Sequence, residues 1–67
     1  MKNADIKAKM RLYGIEWEEV ARALRMPLKD FTRRLNNTEA SPAFRRHLLK
    51  AIDNISKRPE NYYDEYR

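Results

Sequence analysis

Apolar residues recur along the chain at the three- and four-residue spacing that is typical of α-helices. Four stretches show this pattern, and the single glycine and the prolines separate them. The pattern predicts helices over residues 3–13, 16–25, 28–35 and 42–56, with a loop over residues 36–40. No run of β-branched residues alternates with polar residues as a strand requires. We therefore expect an all-α fold.

Residues at the ends of these stretches suit helix boundaries. Asn3 can cap the first helix, and Gly14 can take the left-handed conformation that ends it. Ser41 followed by Pro42 is a typical start for the fourth helix. The residues predicted to face a common core are the apolar members of the four stripes: Ile6, Met10, Tyr13, Val20, Ala21, Leu24, Phe31, Leu35, Phe44, Leu48, Ile52 and Ile55.

The connection between the second and third predicted helices is only about three residues long, at 25–27. Two helices joined so closely must cross steeply, which requires a small residue at the crossing, and Ala21 stands four residues before this turn. The spacing therefore predicts a helix-turn-helix pair. Its second helix carries Lys29, Thr32 and Arg33, which suit the major groove of DNA. The alternative is an ordinary four-helix miniprotein with solvated basic faces.

Charge favours a polyanionic partner without excluding a soluble basic protein. The chain has fifteen Lys and Arg against ten Asp and Glu, a net charge of +5. Residues 1–58 hold fourteen of the basic and seven of the acidic side chains, while residues 59–67 hold one and three. We interpret residues 1–58 as one DNA-binding domain and residues 59–67 as a flexible or short-turn tail. The tail tyrosines can pack on the domain, pair two chains or stay disordered: Tyr62, Tyr63 and Tyr66.

The residue inventory disfavours an enzyme. The chain has no cysteine, a single histidine at His47 and no glycine-rich phosphate loop. Three glutamates gather at the start of the second helix, where the helix dipole already explains them. We expect no catalytic residue, metal, cofactor or small-molecule substrate. With no apolar run long enough for a membrane and no signal peptide, we expect a cytoplasmic protein.

The segment from Gly14 to Leu35, GIEWEEVARALRMPLKDFTRRL, resembles the lambda-repressor-like, Cro/Xre-type helix-turn-helix regulators of phages and bacteria. That family has a Gly-hydrophobic-Thr-Gln start, a helix with a fixed alanine, and Leu-Gly-hydrophobic-Ser before its recognition helix. The resemblance covers residues 6 to about 55. The chain departs from the pattern at the capping threonine, the glutamine, the turn glycine and the serine cap, where it has Glu16, Trp17, Arg25 and Pro27.

The resemblance implies a compact four-helix domain that binds double-stranded DNA sequence-specifically and regulates transcription as a repressor or activator in the bacterial cytoplasm or nucleoid. It implies base-edge contacts from Leu28, Lys29, Thr32 and Arg33. It implies phosphate contacts from Trp17, Arg34, Asn36, Asn37, Thr38, Arg45 and Arg46. A homodimer on DNA is a further expectation, although the fifth helix that often serves dimerisation is missing or vestigial.

Several of these roles keep an alternative. Arg33 can reach guanine with both arms of its fork, or be a solvated arginine. Leu28 can touch a thymine methyl group or fill the junction with the second helix. Trp17 can donate its indole N–H to a phosphate, pack, or contact a protein partner. For the whole chain, the main alternative is a helix-turn-helix scaffold that binds another protein. RNA binding is less favoured, because the aromatic platform for stacking single-stranded bases is missing.

Overall fold

The computed structural model describes residues 2–57. Within this range the chain forms four helices and no strand: α1 (Ala4–Leu12), α2 (Trp17–Ala23), α3 (Leu28–Asn37) and α4 (Pro42–Ser56). The all-α class and the four predicted helices are confirmed. None of the helices between residues 2 and 57 has the length and apolar character needed to cross a bilayer. The tail predicted for residues 59–67, with its tyrosines, lies outside the described residues.

Two of the helices end in the same hydrogen-bonded motif around a left-handed residue. At the end of α1, Gly14 has φ 64°, and the N–H of Ile15 donates to the carbonyl of Met10 at 2.8 Å. At the end of α2, Arg25 has φ 58°, and the N–H of Met26 donates to the carbonyl of Ala21 at 2.9 Å. Both are Schellman motifs, which satisfy the last carbonyls of a helix and turn the chain sharply. The left-handed stop predicted at Gly14 is confirmed.

The end of α3 differs from the prediction. Asn36 and Asn37 belong to the helix, so the predicted loop over residues 36–40 was wrong at its start. The Thr38 N–H donates to the Arg34 carbonyl at 3.2 Å and completes the last helical turn. Asparagine is a weak helix former, but distant hydrogen bonds from the start of the chain hold this end of α3.

Those hydrogen bonds come from Asn3. The predicted capping of α1 by its side chain was wrong, because that side chain makes no hydrogen bond to α1. Its φ is 55°, and its side chain is buried against the α3–α4 connection. The amide nitrogen donates to the carbonyls of Leu35 at 2.8 Å and Thr38 at 2.9 Å. The amide oxygen accepts from the N–H of Ala40 at 2.9 Å. One side chain therefore joins the start of the chain to the segment between α3 and α4.

The fourth helix starts as predicted, because the Ser41 Oγ accepts a hydrogen bond from the Phe44 N–H at 3.2 Å and Pro42 opens the helix. α2 packs against α3 and α4, and α1 packs against α4. The predicted core position of Tyr13 was wrong, because this residue lies beyond the end of α1 and is 49% exposed. The core consists of buried residues from all four helices and the first turn: Ile6, Met10, Ile15, Val20, Ala21, Phe31, Leu35, Leu48, Ala51 and Ile52.

Candidate nucleic-acid interface

The outer face of α3 collects the predicted base-contacting residues. Phe31 and Leu35 are fully buried, so the helical period turns the residues on either side of them outward. One open surface groove is lined by Leu28, Lys29, Thr32, Arg33, Asn36 and Asn37. The four side chains predicted to face base edges therefore share one surface with two of the predicted phosphate contacts.

The residues of this groove vary in chemistry, and all are exposed except Thr32, which is half-buried. Leu28 is 45% exposed and offers apolar surface, while Lys29 and Arg33 are exposed cations. Arg33 Nη1 lies 4.0 Å from Asp30 Oδ1, and both side chains are more than half exposed. An ion pair this long and this wet contributes little. The Arg33 fork can therefore change partner at small cost.

A cleft lies beside this groove on the same helix. It is lined by Met26, Asp30, Arg33, Arg34, Asn37 and Thr38. Because Arg33 and Asn37 line both surfaces, the cleft adjoins the groove of α3. Three residues predicted to touch phosphates, Arg34, Asn37 and Thr38, thus flank the residues predicted to touch bases.

The three arginines predicted to contact phosphates have different surroundings. The Arg34 guanidinium carbon lies 4.1 Å from the centre of the Phe44 ring, so the cation covers the aromatic face. Arg45 is bound to Asp5 of α1 through both terminal nitrogens: Nη1 to Oδ1 at 3.4 Å and Nη2 to Oδ2. Arg46 is exposed on α4. Arg34 and Arg46 can offer their donors to an external anion more readily than Arg45 can.

Trp17 occupies the edge of the core. It is partly buried, and its ring meets the Phe31 ring edge to face, with 6.0 Å between centroids and 86° between planes. Lys7 Nζ lies 5.8 Å from the centre of the Trp17 ring. Of the alternatives that the sequence leaves open for Trp17, packing is the one observed. Its contact with a phosphate stays a prediction.

Sequence reasoning missed three residues that shape this region: Asn3, Asp5 and Phe44. The sequence pattern assigns Asn3 a local role, as a cap of α1, and assigns Asp5 no partner. The partners of both residues are more than thirty residues away in the chain. Phe44 was interpreted only as part of the apolar stripe of α4. The one sequence feature that could have indicated the contact between Arg34 and Phe44 is their short separation in the chain, across the α3–α4 connection.

This surface offers guanidinium, ammonium, amide and hydroxyl donors on one exposed helix and its flank, a set that suits anions and base edges. Within residues 2–57, no three histidine or acidic side chains converge as a metal site requires. The chain was compared with protein-family models, curated proteins and solved structures, and none of them matches it significantly.

Proposed function

We propose that this chain binds double-stranded DNA, with α3 in the major groove and Leu28, Lys29, Thr32 and Arg33 facing the base edges. The observation that supports this most strongly is that all four side chains line one open groove on α3. The major groove admits an α-helix, and each base pair presents a distinct pattern of donors and acceptors there. The Arg33 fork matches guanine, and the Leu28 methyl groups match the methyl group of thymine.

Charge and the flanking cleft support the same proposal. Residues 2–57 contain thirteen Lys and Arg against seven Asp and Glu. The cleft beside the groove brings Arg34, Asn37 and Thr38 to one flank of α3, where a DNA backbone would pass. Contacts to phosphate hold a protein in register while base contacts provide specificity. The two surfaces together therefore suit a reader of DNA sequence.

The proposed architecture is a helix-turn-helix of the lambda-repressor-like type, formed by α2, the turn around Arg25 and α3. The protein would then be a small transcriptional regulator of a phage or bacterium. One copy of so short a helix reads only about four to six base pairs, so useful specificity needs two copies about one helical turn apart. We expect palindromic or directly repeated half-sites, with two chains pairing weakly in solution and more strongly on DNA.

The experiment that tests this proposal combines selection of duplexes from a random library with the Arg33→Ala variant. Arg33→Ala should weaken binding to the selected duplex by about 1–3 kcal/mol and relax the preference at one base pair. Arg46→Ala is the matched control on α4. If Arg46 contacts phosphate, its loss should weaken all duplexes about equally and reduce the salt slope by about one unit. A folded wild-type chain that prefers no duplex over random sequence at low salt would contradict the proposal.

The alternative function is a protein-interaction module on the same scaffold. It is favoured by one specific observation: Leu12 is 79% exposed and its neighbour Tyr13 is 49% exposed at the end of α1. Salt separates the two functions, because binding driven by phosphates weakens steeply with salt, whereas an apolar protein contact does not. Leu12→Ser should reduce binding to a protein partner and leave binding to duplex DNA unchanged.

A further inference from the structure

We propose that Phe44 positions the Arg34 guanidinium for a backbone phosphate of duplex DNA, and that Arg34 rather than Arg45 supplies the phosphate contact beside α3. This inference rests on the proposed DNA binding and assigns to Phe44 a role in preparing one contact of that site. It concerns the chemistry of a phosphate diester and carries no sequence preference.

The Arg34 side chain forms a cation–π contact with Phe44. The Arg34 guanidinium carbon lies 4.1 Å from the centre of the Phe44 ring, well within the range of a cation–π contact. A guanidinium at this distance over a ring can stack on it face to face, which leaves the N–H donors around its edge for an anion. A phosphate can therefore bind Arg34 with two hydrogen bonds while the ring keeps the group in place.

The Phe44 ring under Arg34 is held in place by the packing of α4. Phe44 is partly buried and packs against the core, and its backbone N–H is fixed by the Ser41 Oγ at 3.2 Å. Arg34 is in the last turns of α3, and Phe44 is in the first turn of α4. The stack consequently spans the α3–α4 connection and limits the side-chain freedom that Arg34 would otherwise lose on binding DNA.

Arg45 differs from Arg34 because it already has a carboxylate partner. Both of its terminal nitrogens face the Asp5 carboxylate, so its charge is already balanced within the molecule. A phosphate at Arg45 must displace or tolerate that carboxylate. Arg34 shares its cleft with the donors of Asn37 and Thr38, and the carboxylate of that cleft, Asp30, lies within ion-pair distance of Arg33.

Phe44→Leu tests the role of the ring, because leucine keeps an apolar side chain on α4 and removes the aromatic face. Nuclear magnetic resonance of the free protein should show the Arg34 side-chain protons losing their ring-current shift. Affinity for a random duplex should fall about two- to tenfold, which is the ordering cost of one flexible side chain on binding, because the ring no longer holds Arg34 in place in the free protein. The salt slope should hardly change, since Arg34 keeps its charge.

A double-mutant cycle separates positioning from a structural role. Arg34→Gln should lower the salt slope by about 0.9 of a unit, the value for one lost phosphate contact. In the Arg34→Gln background, Phe44→Leu should have no further effect on affinity. Arg34→Lys keeps the charge without the planar guanidinium, so Phe44→Leu should not lower the affinity of that variant either. Circular dichroism at the binding temperature confirms that each variant is folded.

Four outcomes overturn the proposal. A Phe44→Leu effect of equal size in the Arg34→Gln background would mean that Phe44 acts on the fold and not on Arg34. A larger loss of salt slope in Arg45→Gln than in Arg34→Gln would move the phosphate contact to Arg45. Binding that is lost in Arg33→Ala but unchanged in Phe44→Leu would refute this contact alone. Absence of any duplex binding by the folded wild-type chain would refute the proposed function together with it.

Discussion

Asn3 shows how much of this small fold depends on one polar side chain. It is buried, it adopts a left-handed backbone at φ 55°, and it serves two carbonyls and one N–H of the α3–α4 connection. Asparagine tolerates this backbone better than most residues, and its amide supplies both donors and an acceptor. Within residues 2–57, no buried side-chain nitrogen or oxygen lacks a hydrogen-bond partner. Asn3 thus satisfies backbone groups at the end of α3, where Asn37 and Thr38, two of the predicted phosphate contacts, lie.

The first prediction concerns Asn3→Ala. The substitution removes three hydrogen bonds, leaves the Leu35 carbonyl buried without its side-chain partner, and places alanine at a positive φ. We expect the free energy of unfolding to fall by about 2–3 kcal/mol, measured by urea denaturation. Asn3→Gly is the control, because it relieves the backbone but not the lost bonds, and it should recover only the backbone part of the loss. Equal stability of Asn3→Ala and wild type would show that water replaces the amide.

The backbone at Arg25 was predictable at the residue scale, whereas that at Asn3 was not. The resemblance places Arg25 where the lambda-repressor-like regulators have a turn glycine, and the observed φ of 58° agrees with that position. Nothing near Asn3 in the chain indicates its role, since its partners lie 32 to 37 residues away. An asparagine before a helix looks the same in the sequence whether it caps that helix or bonds distant backbone groups. The local pattern therefore favoured the commoner role, which is capping.

At the scale of helices, apolar periodicity predicted four elements and the outward face of α3. The reason is that each helix buries one stripe, and the stripe positions follow directly from the 3.6-residue period. The end of α3 was missed because two asparagines look like a loop until the Asn3 amide is placed against them. The connection from α2 to α3 was predicted to be about three residues long, and it is four residues long because α2 ends at Ala23.

The second prediction concerns the packing of α2. Ala21 is only 2% exposed in the helix that contacts both α3 and α4, so we expect a larger side chain to disturb the packing of its neighbours. Ala21→Leu should destabilise the domain by about 1–3 kcal/mol through overpacking, a large fraction of the stability of so small a core. Thermal unfolding followed by circular dichroism provides the measurement. Ala23→Leu is the matched control at an exposed position of the same helix and should have little effect. Similar melting temperatures for the two variants would contradict a tight contact at Ala21.

At the scale of the whole molecule, the count of fifteen Lys and Arg overstates the number of cations available to an anionic partner. Arg22 pairs with Glu18 and Lys57 pairs with Asp53, both at the i, i+4 spacing that a helix makes predictable. The Arg45–Asp5 pair joins α4 to α1 across forty residues, and no local pattern indicates it. The sequence therefore predicts a basic surface correctly in sign, while the structure decides which arginines can exchange their partners for phosphate.

The last prediction follows from that distribution of charge. Because Asp5 already occupies both terminal nitrogens of Arg45, Arg45→Ala should hardly change the salt slope of binding to a random duplex. Asp5→Asn removes the competing charge, and the slope should then steepen by up to about 0.9 of a unit as Arg45 gains a phosphate. Adding Arg45→Ala to Asp5→Asn should reverse that gain. Fluorescence anisotropy between about 50 and 200 mM salt measures all four proteins.

Asp53→Asn is the control for this experiment, because it adds the same unit of charge by releasing Lys57 at the opposite end of α4. Screening limits the reach of an exposed charge to about 10 Å at 0.1 M salt, so a gain confined to Asp5→Asn identifies a local contact. An equal gain from Asp53→Asn would mean that duplex affinity follows the total charge. A fall in slope on Arg45→Ala in the wild-type chain would instead show that Arg45 binds phosphate while Asp5 still holds it, since a guanidinium has five N–H donors and one carboxylate uses only two.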